Sequence, residues 1–160
     1  KLLGGPQAGL VVGSASAIEA MRTHPIARAV RIAGPMLDSL STTLELYAAG
    51  RGREIPFWAM ASLTAESLAE RYEAVVDASG IEATVIADRS LPGAGTVPGM
   101  GIPGPALLVS GNAETMWRSL LDETTPIVAR RDERGLIIDL RAVAPGDDAL
   151  VAAALTTACQ

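Results

Sequence analysis

The sequence predicts an α/β chain whose second half is a small α+β unit, a mostly antiparallel sheet with covering helices. Three observations carry this. Past about residue 55 the apolar pattern alternates in the order helix, strand, strand, helix, strand, strand, helix. The strand-like runs are short, and Asp132-Glu133-Arg134-Gly135 between two of them is a good hairpin turn, which favours antiparallel pairing. The composition is 49% hydrophobic but only 3% aromatic, so a core must be filled by Ala, Leu, Val and Ile. A length of 160 residues suits one domain, or one small domain plus the edge of another. The expected division is 1–54 and 55–160.

Taken in order, residues 9–13 read as a short buried strand ending in glycine. Ser16 is placed to cap a short helix to about Arg22, which His24-Pro25 ends. Pro35 suits the first turn of a long helix to about Ala49, with Gly50 as its stop. Met36, Leu37, Leu40, Leu44 and Tyr47 give that helix an apolar stripe, expected to pack as core. Arg51-Gly52-Arg53 is a polar turn. Thr64 is set to cap a helix that Gly80 closes. Residues 81–87 read as a strand, 89–105 as a long Gly/Pro loop, and 106–109 as a short apolar strand. A helix over 113–121 carries Met116, Trp117, Leu120 and Leu121 on one side. Strands are expected at 127–131 and 136–140, and Pro145 is expected to start the last helix.

The net charge of −5 argues against a general nucleic-acid footprint on this chain. The single cysteine, Cys159, excludes an internal disulfide and a zinc cluster and fits a reducing, cytosolic setting. No cluster of His, Cys, Asp and Glu has metal-ligand spacing, so no metal is expected. No signal peptide and no bilayer-length apolar run is legible, so no membrane partner is expected.

Candidate chemistry concentrates near the start. Lys1-Leu2-Leu3-Gly4-Gly5-Pro6-Gln7-Ala8-Gly9 sets a lysine before a tight Gly-Gly-Pro turn. Such a turn holds an amine still, as a Schiff-base cofactor such as pyridoxal phosphate requires. An ordinary solvated lysine fits the same spacing. Arg28 and Arg31, three apart, share one face if their stretch is helical, and two converging guanidiniums suit a phosphate or similar oxyanion. Two solvated surface arginines fit equally. His24, the only histidine, precedes a proline and is expected to cap or pack a turn rather than catalyse. Gly99-Met100-Gly101-Ile102-Pro103-Gly104 is a literal G-x-G-x-x-G, but a proline-rich loop precedes it and an apolar strand follows. A dinucleotide site needs a strand before and a helix after.

Several of these segments resemble one family. KLLGGPQAGLVVG is similar to the cofactor-lysine segment of bacterial selenocysteine synthase, L-seryl-tRNA(Sec) selenium transferase. His24-Pro25-Ile26-Ala27-Arg28-Ala29-Val30-Arg31 resembles its His-Pro-Leu-x-Arg-Ala-x-Arg segment. Gly93-Ala94-Gly95-Thr96-Val97-Pro98-Gly99 is similar to its Gly-Gly-Gly-Ser-x-Pro-Gly loop, and PIVARRDERGLIIDLRAVAP (126–145) to its closing hairpin. The chain departs from the family pattern at Ala33 and Gly34, where an acidic residue and a lysine are usual, and at Ala59 in place of an arginine.

The resemblance implies the C-terminal part of a pyridoxal-phosphate enzyme of the aspartate-aminotransferase type, fold type I. Residues 1–54 would form the edge of the cofactor-binding large domain and the connecting helix, and 55–160 the small C-terminal domain. It implies Lys1 as cofactor-binding and catalytic residue, and Arg28 and Arg31 as binders of the anionic selenium donor. The implied reaction converts seryl-tRNA(Sec) to selenocysteinyl-tRNA(Sec) with selenophosphate, in a cytoplasmic homo-oligomer built from dimers. The tRNA surface is expected mostly outside this chain, and the isolated 160 residues are expected to be inactive. Two alternatives stand beside it: a lyase or aldolase of the same scaffold acting on a small phosphorylated amino acid, and a non-catalytic oligomerisation domain.

Overall fold

A computed structural model describes residues 2–93 and 99–160. The chain divides into two compact units, Lys1–Ala59 and Met60–Gln160.

The first unit is helical among its described residues: α1 (Ala15–Thr23), α2 (Pro25–Ala29) and α3 (Gly34–Ala48), with α4 (Pro56–Ala61) running past its end. The cap of α1 is Ser14, not Ser16. Ser14 takes the extended backbone that a cap requires, and its Oγ accepts from the Ala17 amide at 3.3 Å. The strand expected at 9–13 is absent; these residues are irregular, and Leu10, Val11 and Val12 are exposed. A strand exists only with a ladder neighbour, and no described strand lies in this unit. The α3 stripe is also less buried than a core stripe. Leu40 is buried, but Met36, Leu37 and Leu44 face solvent. The long helix otherwise starts and stops where Pro35 and Gly50 place it, with Gly50 at φ +70°.

The second unit holds α5 (Ala65–Ser79), β1 (Thr84–Ser90), β2 (Ile102–Val109), α6 (Ala113–Asp122), β3 (Arg130–Asp132), β4 (Gly135–Ile138) and α7 (Asp148–Ala158). Its four-stranded sheet has the order β1-β2-β4-β3, every pair antiparallel. Thr64 caps α5 through its hydroxyl, and Gly80 closes it in the left-handed region, as their sequence positions predict. Leu68, Tyr72 and Val75 of α5 meet Leu107 and Val109 of β2, Met116 and Leu120 of α6, Leu136 and Ile138 of β4, and Val151 and Leu155 of α7 in one core. Aliphatic side chains dominate it, as the composition requires.

One correction concerns the sheet and one the last helix. The stretch 89–105 is not all loop: β1 runs on to Ser90, and β2 starts at Ile102, with Ser90 opposite Ile102. Pro103 and Pro105 read as loop residues because they cannot donate to a ladder. They are tolerated here because β4 joins β2 only at residues 107–109, leaving that flank open. Pro145 starts a 3-10 turn, Pro145–Asp147, before α7 proper.

Polar contacts tie this unit together. Arg71 forks onto Asp148 at 2.8 and 2.6 Å and donates to the Leu140 and Val143 carbonyls. The buried Tyr72 hydroxyl accepts from the Leu140 amide at 2.9 Å, and burial pushes its pKa up to about 12. Arg141, also buried, donates to Ser90 Oγ and to the carbonyls of Met60, Leu63 and Pro103.

Candidate functional site

Lys1 itself lies outside the described residues, but the turn that follows it does not. Gly4 has φ +77°, and a Cβ there would stand 2.5 Å from Ile55 Cγ2. A Cβ on Gly5 would stand 2.6 Å from Thr43 Oγ1. Both glycines are therefore required by the close seating of this turn on Thr43 and Ile55, which are buried. The Tyr47 hydroxyl of α3 donates to the Leu3 carbonyl at 2.8 Å, and Trp58 Nε1 donates to the Tyr47 oxygen. The backbone turns tightly at Gly4, as the Gly-Gly-Pro sequence predicts, and packs closely on Thr43 and Ile55. The tyrosine and tryptophan bonds were not legible, since Tyr47 reads as one member of an apolar stripe.

His24 caps α2: its Nδ1 accepts from the Ile26 amide at 3.2 Å. That is the capping role expected of a histidine before proline. The helical premise for the arginine pair is not met. α2 ends at Ala29, so Arg28 sits in its last turn, and Arg31 lies in the connection before α3. A continuous helix would bring Pro35, which has no N–H, opposite the Arg31 carbonyl, so the chain stops and restarts.

A census of arginine contacts adds what spacing could not. Arg22, Arg51, Arg71, Arg118, Arg130, Arg131 and Arg134 each pair with a carboxylate. Arg131 also lies 4.0 Å above the Trp117 ring. Arg89 donates to the Gly101 carbonyl, and Arg141 is enclosed by carbonyls. Arg28, Arg31 and Arg53 remain, exposed and without an acid or hydrogen-bond partner among the described residues. An unpaired, solvated guanidinium is ready for an anion and has no bond to break first.

The G-x-G-x-x-G stretch has a different use. β2 begins at Ile102, so no helix follows the motif. Gly101 makes room for Arg89, whose Cβ would lie 2.8 Å from an added methyl, and Gly104 for Arg141 Nη2 at 2.6 Å. The glycine-rich loop similar to the family's falls at 94–98, outside the described residues. Cys159 lies 3.8 Å from the Met116 sulfur, and partial burial pushes its thiol up, away from nucleophilic use. No group of three or more metal-ligating side chains exists among the described residues, and none of their helices is long and apolar enough to cross a membrane.

A family model described as L-seryl-tRNA selenium transferase matches residues 1–144. An L-seryl-tRNA(Sec) selenium transferase of Aquifex aeolicus (strain VF5) is 37% identical over 150 residues, covering 89% of this chain and 33% of the relative. The protein of the same name in Solidesulfovibrio magneticus is 36% identical over 176 residues, covering 100% of this chain and 37% of the relative. That of Caldanaerobacter subterraneus subsp. tengcongensis is 33% identical over 171 residues, with 100% and 37% covered. The chain spans about a third of the length of the curated relatives it matches. It belongs to the L-seryl-tRNA selenium transferase family.

Proposed function

We propose that this chain supplies the cofactor lysine and the donor-binding arginines of a pyridoxal-phosphate selenium transferase of fold type I. In this reading residues 1–54 edge the large domain, and 55–160 form the small one. The observation that carries the proposal is the conjunction, in one unit, of the seated turn after Lys1 with the guanidiniums of Arg28 and Arg31, which, like Arg53, have no partner among the described residues. These residues fit the cofactor and its anionic co-substrate: a lysine next to a closely seated turn, and forks free to take an oxyanion. The family match and the relatives' names support seryl-tRNA(Sec) as the substrate.

When bound, pyridoxal phosphate supplies an electron sink that eases loss of the α-proton and hydroxyl of a seryl group. The chain's own part is separate. Lys1 Nζ would hold the cofactor, and as a free amine it would be the group to move a proton. Lys1 is the only lysine in the 160 residues, so no other side chain here can take that role. Arg28 and Arg31 bind and orient the selenophosphate anion; a guanidinium offers only donors, so neither serves as a base. The setting is a cytoplasmic homo-oligomer, with most of the tRNA contact outside this chain.

Replacing Arg28 or Arg31 by alanine in the full-length enzyme is expected to raise the KM for selenophosphate about 10- to 100-fold, the weight of a charge-assisted bond. Lysine at either position is expected to restore only part of this, because it lacks the fork. Steady-state kinetics at varied donor concentration checks it, and an unchanged KM in both alanine variants would refute the assignment. Tight binding of seryl-tRNA(Sec) separates this reading from a lyase of small phosphorylated amino acids.

A further inference from the structure

The turn after Lys1 is held in an unusual way. Its two leucines do little of the holding: Leu2 is 48% and Leu3 37% exposed. The glycines fit closely but carry no side chain to grip with. Among the described residues, a polar tie to this turn is the bond from the Tyr47 hydroxyl to the Leu3 carbonyl, spanning 44 residues of sequence. A phenol has one proton to give and lone pairs to accept with. Trp58 Nε1–H donates to the Tyr47 oxygen, which leaves the phenol proton for Leu3. The Trp58 ring is held in turn by Phe57, edge to face, with centroids 4.9 Å apart at 78°. Phe57 also stands beside Gly4, its Cβ 3.3 Å from where a glycine methyl would be. Aromatic packing, indole, phenol and carbonyl thus form one relay ending on the backbone two residues from Lys1.

We propose that Tyr47, oriented by Trp58, is a positioning residue for the cofactor lysine: its hydroxyl fixes the Leu3 carbonyl in the turn that Lys1 leads into. The inference rests on the reading of Lys1 as the cofactor lysine. Only Leu2 separates Leu3 from Lys1, and two residues of chain span at most about 7 Å. Displacements of about 1 Å are enough to lower catalysis up to a hundredfold. Tyr47 touches neither cofactor nor substrate in this scheme; it acts through Leu3.

The test uses the full-length protein with Tyr47→Phe, Trp58→Phe and, as a structural control, Tyr72→Phe in the second unit. Amide hydrogen exchange of the apo-protein is read on a peptide spanning residues 1–9, and cofactor affinity is measured separately. Tyr47→Phe is expected to speed exchange in that peptide about fivefold, the worth of one neutral hydrogen bond, and to weaken cofactor binding by a similar factor. Trp58→Phe keeps the ring and is expected to act the same way, less strongly; it carries the test if the tyrosine variant does not fold. Tyr72→Phe is expected to lower stability while leaving both readouts at the parent value. The proposal is overturned if exchange at 1–9 stays unchanged, if the control raises it equally, or if exchange rises with cofactor affinity unaltered. Mapping which lysine carries the cofactor tests the underlying reading by itself, because the exchange measurement does not depend on where the cofactor attaches.

Discussion

Gly135→Ala is expected to destabilise the second unit by at least about 3 kcal/mol. Gly135 has φ +145°, where an L side chain is strained. Its added Cβ would also stand 2.3 Å from the Val109 carbonyl oxygen. That oxygen is backbone and cannot swing aside as a side chain can. Relief requires β4 to move off β2, and β4 links β2 to β3 in the middle of the sheet. Leu136 and Ile138 beside it are core residues, so the movement would open the core as well. Chemical denaturation of the full-length protein, with hydrogen-exchange protection read across β2 and β4, checks this. A denaturation midpoint equal to that of the parent would contradict the register described here.

Lys1→Ala carries the second large effect. In the full-length enzyme it is expected to reduce turnover at least about a hundredfold, since proton transfer by a positioned group alone contributes that much. The loss of a covalent cofactor anchor adds to it. The decline is expected in kcat, with the KM for selenophosphate little changed, because Arg28 and Arg31 are left in place. Unfolding profiles are expected to match the parent, because Leu3, Gly4 and Gly5, which seat the turn, are left in place. Unchanged activity would remove Lys1 from the mechanism and favour a non-catalytic role.

Local signals were the most legible. The caps of α5, Thr64 and Gly80, could be read because their effect is confined to a single turn. The Lys1 turn was legible for the same reason: glycine and proline dictate backbone locally. The start of β2 was not, because Pro103 and Pro105 forbid a strand only where a neighbour needs their N–H, and that depends on how far β4 reaches. Residues 9–13 failed in the opposite direction, since apolar character alone does not provide a ladder partner. Arg28 and Arg31 could be picked by type and resemblance, but their lack of partners could not. Arg71, read alone, looks just as free, yet its acid sits 77 residues away at Asp148. Tyr47 was hidden for a related reason: a stripe position predicts where the ring points, while its hydroxyl bonds to Leu3, 44 residues earlier.

The most direct test fixes the cofactor in place. Borohydride reduction of the cofactor-loaded full-length protein, followed by digestion and mass spectrometry, locates the modified lysine. The expected result is a pyridoxyl group on Lys1, in the peptide continuing Leu2-Leu3-Gly4-Gly5-Pro6. A pyridoxyl group on any other lysine, with Lys1 recovered unmodified, would contradict the account.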